Sequence, residues 1–575
     1  MSLTAIFVVA VFGLTVAGLI RFQNSPEKIF AAALCLLFVS NIISTEQVIN
    51  SFANKGLLTL ILLMVCSLAL EKTKLLQLVT SYIIRSSYKA TWFRLYILTA
   101  LSSSILNNTA VVSTMLAPIR NNVNHPASKL LLPLSYAAIL GGTLTLVGTS
   151  TNLIVNSMVI DYGLPSLGFF DFTLVGICLV SGCGVLLFFM SRFLPSNARV
   201  VTLAADYLID MEVSTSSSLI GKSIDVNGLR NLESVFLVEI LRNERLISPV
   251  APTEIIQAND RLIFSGDIKK VTLLNRFDGL SSFAHESGLP LSNLSEVVVR
   301  PESMLVRRTL KRVGFRALFD AAVVAIKRDG TNVSGKLGDV VLQAGDYLVL
   351  AVGDDFKSRH NLSKNFFLLS DVQTENQLRG GKEKIAIYGF FAAIALAAFD
   401  ILPLFKGMLM LLAALVFSGA LSSNEIMQRL PKNIWVIIAS ALALSQALKN
   451  SGAFDGLNTL IQANQGILTP LVALIIIYVL TWLFTELVTN NAAAALMFPV
   501  AMELGSSLGM NPMAVIMAVA YGASASFISP YGYQTNLMVY NAGQYRIKDF
   551  VKIGAPMCLL YGIIVIASIN AFIGL

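Results

Sequence analysis

Long apolar runs separated by short polar connections make up most of this chain, outside one polar stretch near its middle. A helix of about 20 apolar residues crosses a bilayer core of about 30 Å. By this criterion the pattern predicts ten membrane spans. They cover residues 3–20, 29–45, 54–70, 129–156, 171–194, 384–402, 404–421, 432–449, 511–540 and 551–574. We therefore expect a polytopic α-helical membrane protein.

Two further apolar stretches, 91–119 and 468–506, are interrupted near their centres by polar residues. The interruptions are Asn107-Asn108-Thr109 and Thr489-Asn490-Asn491. Non-helical backbone at membrane depth is tolerated only where it is buried in protein or lines a cavity. The pattern therefore predicts two re-entrant hairpins whose polar tips are candidate binding sites.

Charged residues are unevenly distributed along the 575 residues. Residues 200–381 hold 21 basic and 22 acidic side chains, and the other 393 residues share the remaining 33 of the 76 charges. A chain so apolar outside one insertion is not a purely soluble enzyme, and the balanced insertion is unlike a nucleic-acid binder. No nucleophile, base and orienting group occur together, so we expect no enzymatic activity and no nucleic-acid partner.

The net charge of +8 is explained by the distribution of basic residues across the membrane. With ten crossings and the N-terminus outside, the outer side keeps only Lys55, Lys406 and Lys449 among the basic residues of the membrane halves. The positive-inside rule makes the more basic side cytoplasmic. We therefore expect a multi-pass protein of the inner or plasma membrane with residues 200–381 in the cytoplasm. The hairpin 91–119 would enter from the inside, and the hairpin 468–506 from the outside.

Related polar motifs occur in the two membrane halves. A shift of 383 residues brings Asn107-Asn108 onto Asn490-Asn491, and a shift of 384 brings residues 148–153 onto 532–537. Each half has an odd number of crossings, so the halves must be oppositely oriented, as in the inverted repeats of secondary transporters. We predict repeats of five spans plus one hairpin at residues 1–199 and 382–575. Helix capping or close packing is the alternative explanation of these polar clusters.

Glu486 is the carboxylate that the sequence places deepest in a membrane arm. Intramembrane acids are commonly functional, so Glu486 is a candidate for neutralising a bound cation or carrying a proton. It could equally be a buried partner for a hydroxyl or a backbone amide, and the residues themselves leave both roles open.

The charged insertion contains a repeat of its own. Short alternating runs such as 235–240 and 322–326 predict β-strands. The segment 256–264 matches 342–350 at a shift of 86 residues. We predict two α+β modules, at residues 200–288 and 289–381, and neither contains a glycine-rich dinucleotide-binding or phosphate-binding pattern.

These motifs resemble two known families. The membrane halves are similar to the divalent anion:sodium symporter (DASS) family of the ion-transporter superfamily, whose Ser-Asn-Thr hairpin tips are matched by residues 107–109 and 489–491. The insertion resembles two TrkA-C (RCK-C) modules, although the second copy lacks the glycine of the first. The resemblance implies a homodimer in the lipid bilayer, with regulatory or scaffold modules that could take a small ligand such as a nucleotide.

The resemblance to the symporter family also implies roles for individual residues. One Na⁺ site would be bordered by Ser103, Asn107, Asn108 and Gly148. The other Na⁺ site would be bordered by Thr485, Thr489, Asn490, Ser529 and Pro530. The anion would contact Asn108, Thr109, Thr151, Asn490, Asn491 and Thr535.

These features together predict a secondary active transporter that imports a divalent anion with Na⁺ by alternating access, sulfate being favoured. A dianion entering a cell at about 100 mV inside negative opposes about 2.3 kcal/mol per charge, so at least three Na⁺ would make import electrogenic and favourable. The alternatives are a Na⁺-coupled transporter of a succinate-like or citrate-like dicarboxylate, a Na⁺/H⁺ antiporter of the same superfamily, and a ligand-gated channel or anion sensor.

Overall fold

A body of apolar helices and a pair of β-sheets make up the computed structural model of this chain. The structure describes every residue except 1, 23–24, 76–81, 123, 197–207, 230–234, 243–244, 248–249, 267–279, 283–293, 302, 329–330, 334–336, 354, 357–358, 360, 369–377, 457–458 and 460–467. The module boundaries predicted at 199/200 and 288/289 lie outside the described residues.

The first part of the helical body precedes the sheets. Its helices are Leu3–Arg21, Pro26–Val39, Thr45–Phe52, Lys55–Glu71, Tyr88–Ser103, Asn108–Asn121, Leu131–Gly142, Ser150–Asp161 and Thr173–Met190. We call Tyr88–Ser103 and Asn108–Asn121 the two arms of hairpin 1. Leu131–Gly142 and Ser150–Asp161 form broken helix 1, which is unwound over residues 143–149.

The second part of the helical body follows the sheets and repeats the same order of elements. Its helices are Gly381–Ala398, Leu404–Phe417, Ser423–Arg429, Lys432–Asn450, Pro470–Leu487, Asn490–Ser507, Pro512–Ser524, Gln534–Ala542 and Ile547–Phe572. Pro470–Leu487 and Asn490–Ser507 are the arms of hairpin 2. Pro512–Ser524 and Gln534–Ala542 form broken helix 2, which is unwound over residues 525–533.

The helical body presents an apolar surface. Five of its described segments are long and apolar enough to cross a membrane: Leu3–Arg21, Thr45–Glu71, Thr173–Phe193, Pro470–Leu487 and Ile547–Phe572. Leu14, Leu174 and Leu559 on these helices expose 67%, 61% and 69% of their surface. An exposed apolar belt of this kind suits lipid and not water, as expected of a multi-pass membrane protein.

Some predicted spans end earlier than their apolar runs. The predicted span 29–45 stops at Val39, because Asn41 has a left-handed backbone (φ 56°), and a separate short helix begins after the capping box of Ser44 and Gln47. The predicted span 404–421 stops at Phe417, just before Gly419 at φ 68°. Hydropathy alone cannot mark these ends, since apolar residues continue beyond them.

Two five-stranded antiparallel sheets lie between the two helical parts. The first contains β1 (Leu208–Val213), β2 (Val235–Arg242), β3 (Arg245–Ile247), β4 (Arg261–Gly266) and β5 (Leu280–Ser282), in the order β3-β2-β4-β1-β5. The second contains β6 (Leu294–Val299), β7 (Ala321–Arg328), β8 (Thr331–Asn332), β9 (Tyr347–Val352) and β10 (Phe366–Leu368), in the order β10-β6-β9-β7-β8. Reversing the second order gives β8-β7-β9-β6-β10, and each of these strands then corresponds to the strand at the same place in the first order.

An arginine–aspartate pair with a buried carboxylate recurs in the two sheets at the shift of 86 residues. Arg242 Nε and Nη2 donate to the Asp260 carboxylate at 2.8 Å each, and Arg328 donates to Asp346 through the same atoms at 2.8 Å. The hydrogen bonds that Arg242 donates to Asp260 raise the pKa of its guanidinium above its ordinary value. These pairs tie the turn before β4 or β9 to the end of β2 or β7, so each sheet closes in the same way.

The second sheet packs against the helical body through one of its two faces. Alternate strand residues point to opposite faces, so Val297 and Val299 lie in the core of the module while Val298 joins the core of the helical body. The other described residues that join the helical body from this face are Val324, Tyr347, Val349, Ala351 and Phe367. At the shift of 86, the first sheet has Glu212 and Arg261 where the second has Val298 and Tyr347.

A buried ion pair anchors this docked face. Arg120, in the second arm of hairpin 1, pairs with Glu296 and donates through Nη2 to Tyr347 Oη at 2.8 Å. Arg120 exposes only 7% of its surface. Nearby, Gly345 (φ 84°) lies so close to broken helix 2 that a Cβ would be 2.5 Å from Leu537 Cδ1. The second module is thus in direct contact with the elements that carry the candidate site.

Candidate functional site

The tips of both hairpins are helix N-termini capped by a polar side chain. Asn107 precedes the second arm of hairpin 1, and its Oδ1 accepts the N–H of the second helical residue at 3.0 Å. Thr489 precedes the second arm of hairpin 2, and its Oγ1 accepts the N–H of the third helical residue at 3.4 Å. Such caps satisfy backbone donors that a helix leaves unpaired. Both tips therefore carry the positive end of a helix dipole.

Each tip holds a buried asparagine bonded to a hydroxyl five residues upstream. Ser103 Oγ donates to Asn108 Oδ1 at 2.6 Å, and Thr485 Oγ1 lies 2.9 Å from Asn490 Oδ1. Asn108 exposes 2% of its surface and Asn490 exposes 7%. The two pairs are related by a shift of 382 residues, one fewer than the 383 of the sequence comparison. The structural counterpart of Asn490 is therefore Asn108 and not Asn107.

The unwound segments of the two broken helices are held in a similar way. Asn152 and Asn536, 384 residues apart, lie in the first turn after each break. The Asn152 amide donates to the Thr145 carbonyl, and the Asn536 amide donates to the Ser526 carbonyl, at 2.9 Å each. The asparagines thereby replace helical hydrogen bonds that the breaks remove.

Glycines allow the chain to turn sharply inside each break. A Cβ at Gly148 would lie 2.5 Å from the Gly142 carbonyl oxygen, and a Cβ at Gly532 would overlap Ser526 Oγ. A Cβ at Gly142 would in turn lie 2.7 Å from Asn108 Oδ1. The first hairpin tip and the first break therefore pack together, and Gly148 closes this group of oxygen atoms.

Hairpin 2 and broken helix 2 form the corresponding second group. The Thr485 hydroxyl lies 2.7 Å from the Ala523 carbonyl as well as 2.9 Å from Asn490 Oδ1. Ser529 and Pro530 lie in the unwound segment, and Pro530, buried there, can donate no backbone hydrogen bond. Each hairpin thus meets the broken helix of its own half.

Each hairpin tip also contacts the broken helix of the other half. Thr109 Oγ1 bonds to Gln534 Oε1 at 3.2 Å, and Ser150 Oγ bonds to Asn491 Oδ1 at 3.1 Å. Thr109 and Asn491 are related by the hairpin shift of 382, and Ser150 and Gln534 by the helix shift of 384. The two contacts are therefore equivalents of one another at these shifts.

Tyr533 breaks this correspondence between the two halves. Its hydroxyl oxygen accepts a hydrogen bond from Asn108 Nδ2 at 2.7 Å and lies 3.3 Å from Thr149 Oγ1. Tyr533 and Thr149 are themselves counterparts at the shift of 384. Hairpin 1 and both broken helices therefore converge on one phenol oxygen.

Thr151 and Thr535, the remaining candidate anion ligands, are buried in the helices that follow the breaks. Thr151 exposes 1% of its surface and Thr535 is fully buried. Thr535 Oγ1 lies 2.9 Å from Ser135 Oγ, whose single proton also faces Asn536 Oδ1 at 2.7 Å. Thr535 is thus packed against broken helix 1 inside the helical body.

Glu486 caps the unwound segment of broken helix 2. Its Oε1 accepts the N–H groups of Phe527 and Ile528 at 3.2 and 3.1 Å, and its Oε2 accepts the N–H of Ser529 at 3.0 Å. Three backbone donors that would be unpaired in the break are thus satisfied by one carboxylate. The Glu486 carboxylate is therefore a partner for backbone amides in this structure.

The structure adds three residues that sequence reasoning did not select. Tyr533, Gln534 and Ser150 all contact a hairpin tip. They lie inside the repeated segments 148–153 and 532–537. Their residue types differ between the two copies, so the repeat of identical residues does not mark them. No group of three acidic, histidine or cysteine residues that could hold a metal occurs in the described part of the chain. A cation in this site would therefore be bound by hydroxyl, amide and backbone oxygens.

A family model described as citrate transporter matches residues 7–520 of the chain. A putative sulfur deprivation response regulator of Chlamydomonas reinhardtii is 31% identical over 581 residues, which cover 95% of this chain and 98% of that protein. The probable sodium/sulfate cotransporter 3 of the same alga is 30% identical over 381 residues, covering 64% of this chain and 42% of that protein. The sodium-dependent dicarboxylate transporter SdcS of Staphylococcus saprophyticus is 26% identical over 149 residues, covering 26% and 28%.

Proposed function

The chain belongs to the citrate transporter family, and from this premise we propose that it imports a divalent anion together with Na⁺, sulfate being favoured over a dicarboxylate. The observation that carries the proposal is the reciprocal contact of each hairpin tip with the broken helix of the other half. Two helix N-termini and two groups of oxygens then border one region, which suits an anion accompanied by cations.

The inverted repeat is part of this proposal. Its support is the recurrence of the Ser103–Asn108 bond as Thr485–Asn490 and of the tip contacts at matching shifts. Repeats related in this way supply alternating access, because one bundle rocks against the other around a central site. We assign residues 1–199 and 382–575 to the two repeats.

The first proposed Na⁺ site combines hairpin 1 with broken helix 1. Ser103, Asn107, Asn108 and Gly148 would supply hydroxyl, amide and backbone oxygens. The contact of Gly142 with Asn108 supports this grouping, since it brings the unwound segment against the hairpin tip. Unwound backbone carbonyls are typical Na⁺ ligands in such transporters.

The second proposed Na⁺ site comprises Thr485, Thr489, Asn490, Ser529 and Pro530. The Thr485 hydroxyl has one proton but two neighbouring acceptors, and the buried Asn490 Nδ2 has no hydrogen-bond partner. Turning the Asn490 amide by half a turn would let Nδ2 donate to Thr485 while Thr485 donates to Ala523. That arrangement gives Asn490 Nδ2 and the Thr485 hydroxyl an acceptor each and leaves Asn490 Oδ1 as an oxygen ligand for a cation.

The anion is proposed to lie between the two tips, in reach of Asn108, Thr109, Thr151, Asn490, Asn491 and Thr535. Side-chain amides and hydroxyls can donate to several anion oxygens without a fixed positive charge. The bound Na⁺ ions and the helix N-termini would supply the compensating positive potential.

The choice of sulfate rests on relatives. Sodium/sulfate cotransporters align with 61–64% of the chain, whereas the dicarboxylate transporter SdcS aligns with 26%. A Na⁺-coupled dicarboxylate transporter is the second candidate, and the description of the matched family as citrate transporter favours it. Exchange of Na⁺ for H⁺ receives no support from Glu486, whose oxygens are occupied by backbone amides.

We further propose that the second module holds hairpin 1 in place. Arg120 and Asn108 lie in the same helical arm, about 18 Å apart at 1.5 Å per residue. A module fixed to Arg120 through Glu296 and Tyr347 would therefore resist motion of the tip. The insertion would be cytoplasmic, because the charge distribution assigns Arg120 to that side.

The first module has the charged Glu212 and Arg261 where the second has Val298 and Tyr347, and we propose that it carries the regulatory role implied by the resemblance to TrkA-C modules. The homodimer is proposed on that resemblance as well. Size-exclusion chromatography with light scattering of the detergent-solubilised protein would test the dimer, and a monomeric mass would contradict it.

A substrate panel in proteoliposomes tests the main proposal. Uptake of radiolabelled sulfate, succinate and citrate would be compared under an inward Na⁺ gradient, an inward K⁺ gradient and a pH gradient. We expect Na⁺-dependent sulfate uptake that a large excess of succinate leaves intact. Strong inhibition by succinate would move the assignment to dicarboxylates, and Na⁺ flux driven by the pH gradient alone would make the protein an antiporter.

A further inference from the structure

Tyr533 occupies a position at which the two repeats differ sharply in side-chain size. It is the N-cap residue of Gln534–Ala542, and its counterpart Thr149 is the N-cap residue of Ser150–Asp161. The flanking contacts of Thr109 with Gln534 and of Asn491 with Ser150 are equivalent in the two halves. Beside these contacts, the short side chain of Thr149 in one half faces the phenol of Tyr533 in the other half.

The hydrogen bonds of Tyr533 leave its proton available. Asn108 Nδ2 donates to the phenol oxygen at 2.7 Å, so the Tyr533 O–H must point elsewhere. The other neighbouring acceptor, Thr149 Oγ1, is 3.3 Å away, which is long for a bond between two hydroxyls. An anion oxygen would be a stronger acceptor, because hydrogen bonds to charged groups are shorter and stronger than neutral ones.

Asn108 is in turn engaged on both sides of its amide. Its Oδ1 accepts the Ser103 hydroxyl at 2.6 Å, and its Nδ2 is in contact with Tyr533. Asn490 makes the corresponding contact with Thr485, but among the described residues no phenol is bonded to its amide. The two halves therefore differ at the tips, since a phenol is bonded to the amide of Asn108 and none is bonded to that of Asn490.

We propose that Tyr533 determines the specificity of the anion site. Its hydroxyl donates to the bound anion next to Asn108, and its ring occupies a volume that a threonine, as at Thr149 in the other half, would leave empty. The site then accepts a compact tetrahedral oxyanion and excludes a longer dicarboxylate. This inference rests on the proposed function and names the residue that would select its substrate class.

Two substitutions separate the effects of the hydroxyl and of the ring. Tyr533→Phe removes the donor and keeps the ring, whereas Tyr533→Thr copies the residue found at Thr149 and opens the space. Tyr531→Phe is the matched control, since Tyr531 lies in the same unwound segment and exposes 53% of its surface. Na⁺-driven uptake of radiolabelled sulfate into proteoliposomes, with succinate as competitor, would be measured for all four proteins.

We expect Tyr533→Phe to raise the KM for sulfate about tenfold or more, because a hydrogen bond to a charged group is lost. Tyr533→Thr should lower the succinate concentration that halves sulfate uptake by about tenfold or more, while Tyr531→Phe resembles the wild type. The proposal is overturned if wild-type uptake is normal and both Tyr533 variants keep the wild-type KM and succinate sensitivity. It is also overturned if the wild type transports succinate in preference to sulfate.

Failure of the proposed function has a different signature, namely no Na⁺-dependent uptake of sulfate or succinate by the wild type. Equilibrium binding of radiolabelled sulfate to the purified protein in NaCl then decides the role of Tyr533. Weaker binding by Tyr533→Phe than by Tyr531→Phe would support it, and equal binding or no binding at all would overturn it.

Discussion

Replacement of Glu486 by Gln separates a structural carboxylate from a proton carrier. The Glu486 carboxylate accepts backbone N–H groups from Phe527, Ile528 and Ser529 at 3.0 to 3.2 Å. A glutamine of nearly the same shape can present one neutral oxygen to the first two donors. Its amide N–H₂ group would then face the N–H of Ser529, which loses its acceptor.

The cost follows from the number of bonds that change. A hydrogen bond to a charged group contributes about 1.5–3 kcal/mol and a neutral one about 0.5–1.5 kcal/mol. Weakening two bonds and losing the third therefore costs roughly 4–6 kcal/mol. That is a large part of the roughly 5–15 kcal/mol by which folded proteins are ordinarily stable, so the variant should fold but melt at a clearly lower temperature.

The assay is thermal unfolding of the purified protein in detergent, followed by Na⁺-driven uptake per folded molecule in proteoliposomes. Glu503→Gln is the matched control, because Glu503 lies in the other arm of the same hairpin, away from the break. We expect a lower melting temperature for Glu486→Gln alone, with Na⁺-dependent uptake retained below it. An unchanged melting temperature combined with lost uptake would refute the structural role and support a proton or cation carrier.

Three further outcomes can be tested. Asn108→Ala and Asn490→Ala should each abolish Na⁺-dependent uptake while the protein still elutes as a folded species in size-exclusion chromatography. Near-normal uptake by both variants would refute the assignment of the site. Gly345→Ala should make the second module more susceptible to limited proteolysis than Gly314→Ala does. Both glycines have a left-handed backbone, but only a Cβ at Gly345 would overlap broken helix 2, and equal digestion would contradict the docking. Arg307→Gly should stabilise the protein by about 1 kcal/mol in thermal unfolding, because Arg307 has a left-handed backbone (φ 66°), and a lower melting temperature would refute the strain.

The membrane character and the transporter class could be predicted from the sequence because both depend on local features. An asparagine pair in the middle of an apolar run signals a helix start inside the membrane, whichever neighbours surround it. The prediction of a transporter and not an enzyme is confirmed by the family match. The hairpin register was harder to fix, since Asn107-Asn108 and Asn490-Asn491 align at 383 as letters, while the helix starts align at 382.

The contacts between elements could not be predicted in the same way. The engagement of Asn108 by Tyr533 joins residues 425 positions apart, and neither residue type alone indicates it. The docking of the second module left a trace in the sequence, because Val298 and Tyr347 replace Glu212 and Arg261 of the first copy. This difference between the copies indicates an apolar face on the second module. It does not indicate that hairpin 1 is the partner of this face, which is shown by the contact of Arg120 with Tyr347.

Uphill accumulation of sulfate would test Na⁺-coupled import most directly. Proteoliposomes containing the wild-type protein would be loaded with the same sulfate concentration as the outside buffer, and an inward Na⁺ gradient would then be imposed. We expect the internal sulfate to rise above the external concentration and to fall back when a Na⁺ ionophore collapses the gradient. Sulfate that equilibrates but never accumulates, or that accumulates equally without Na⁺, would contradict Na⁺-coupled import.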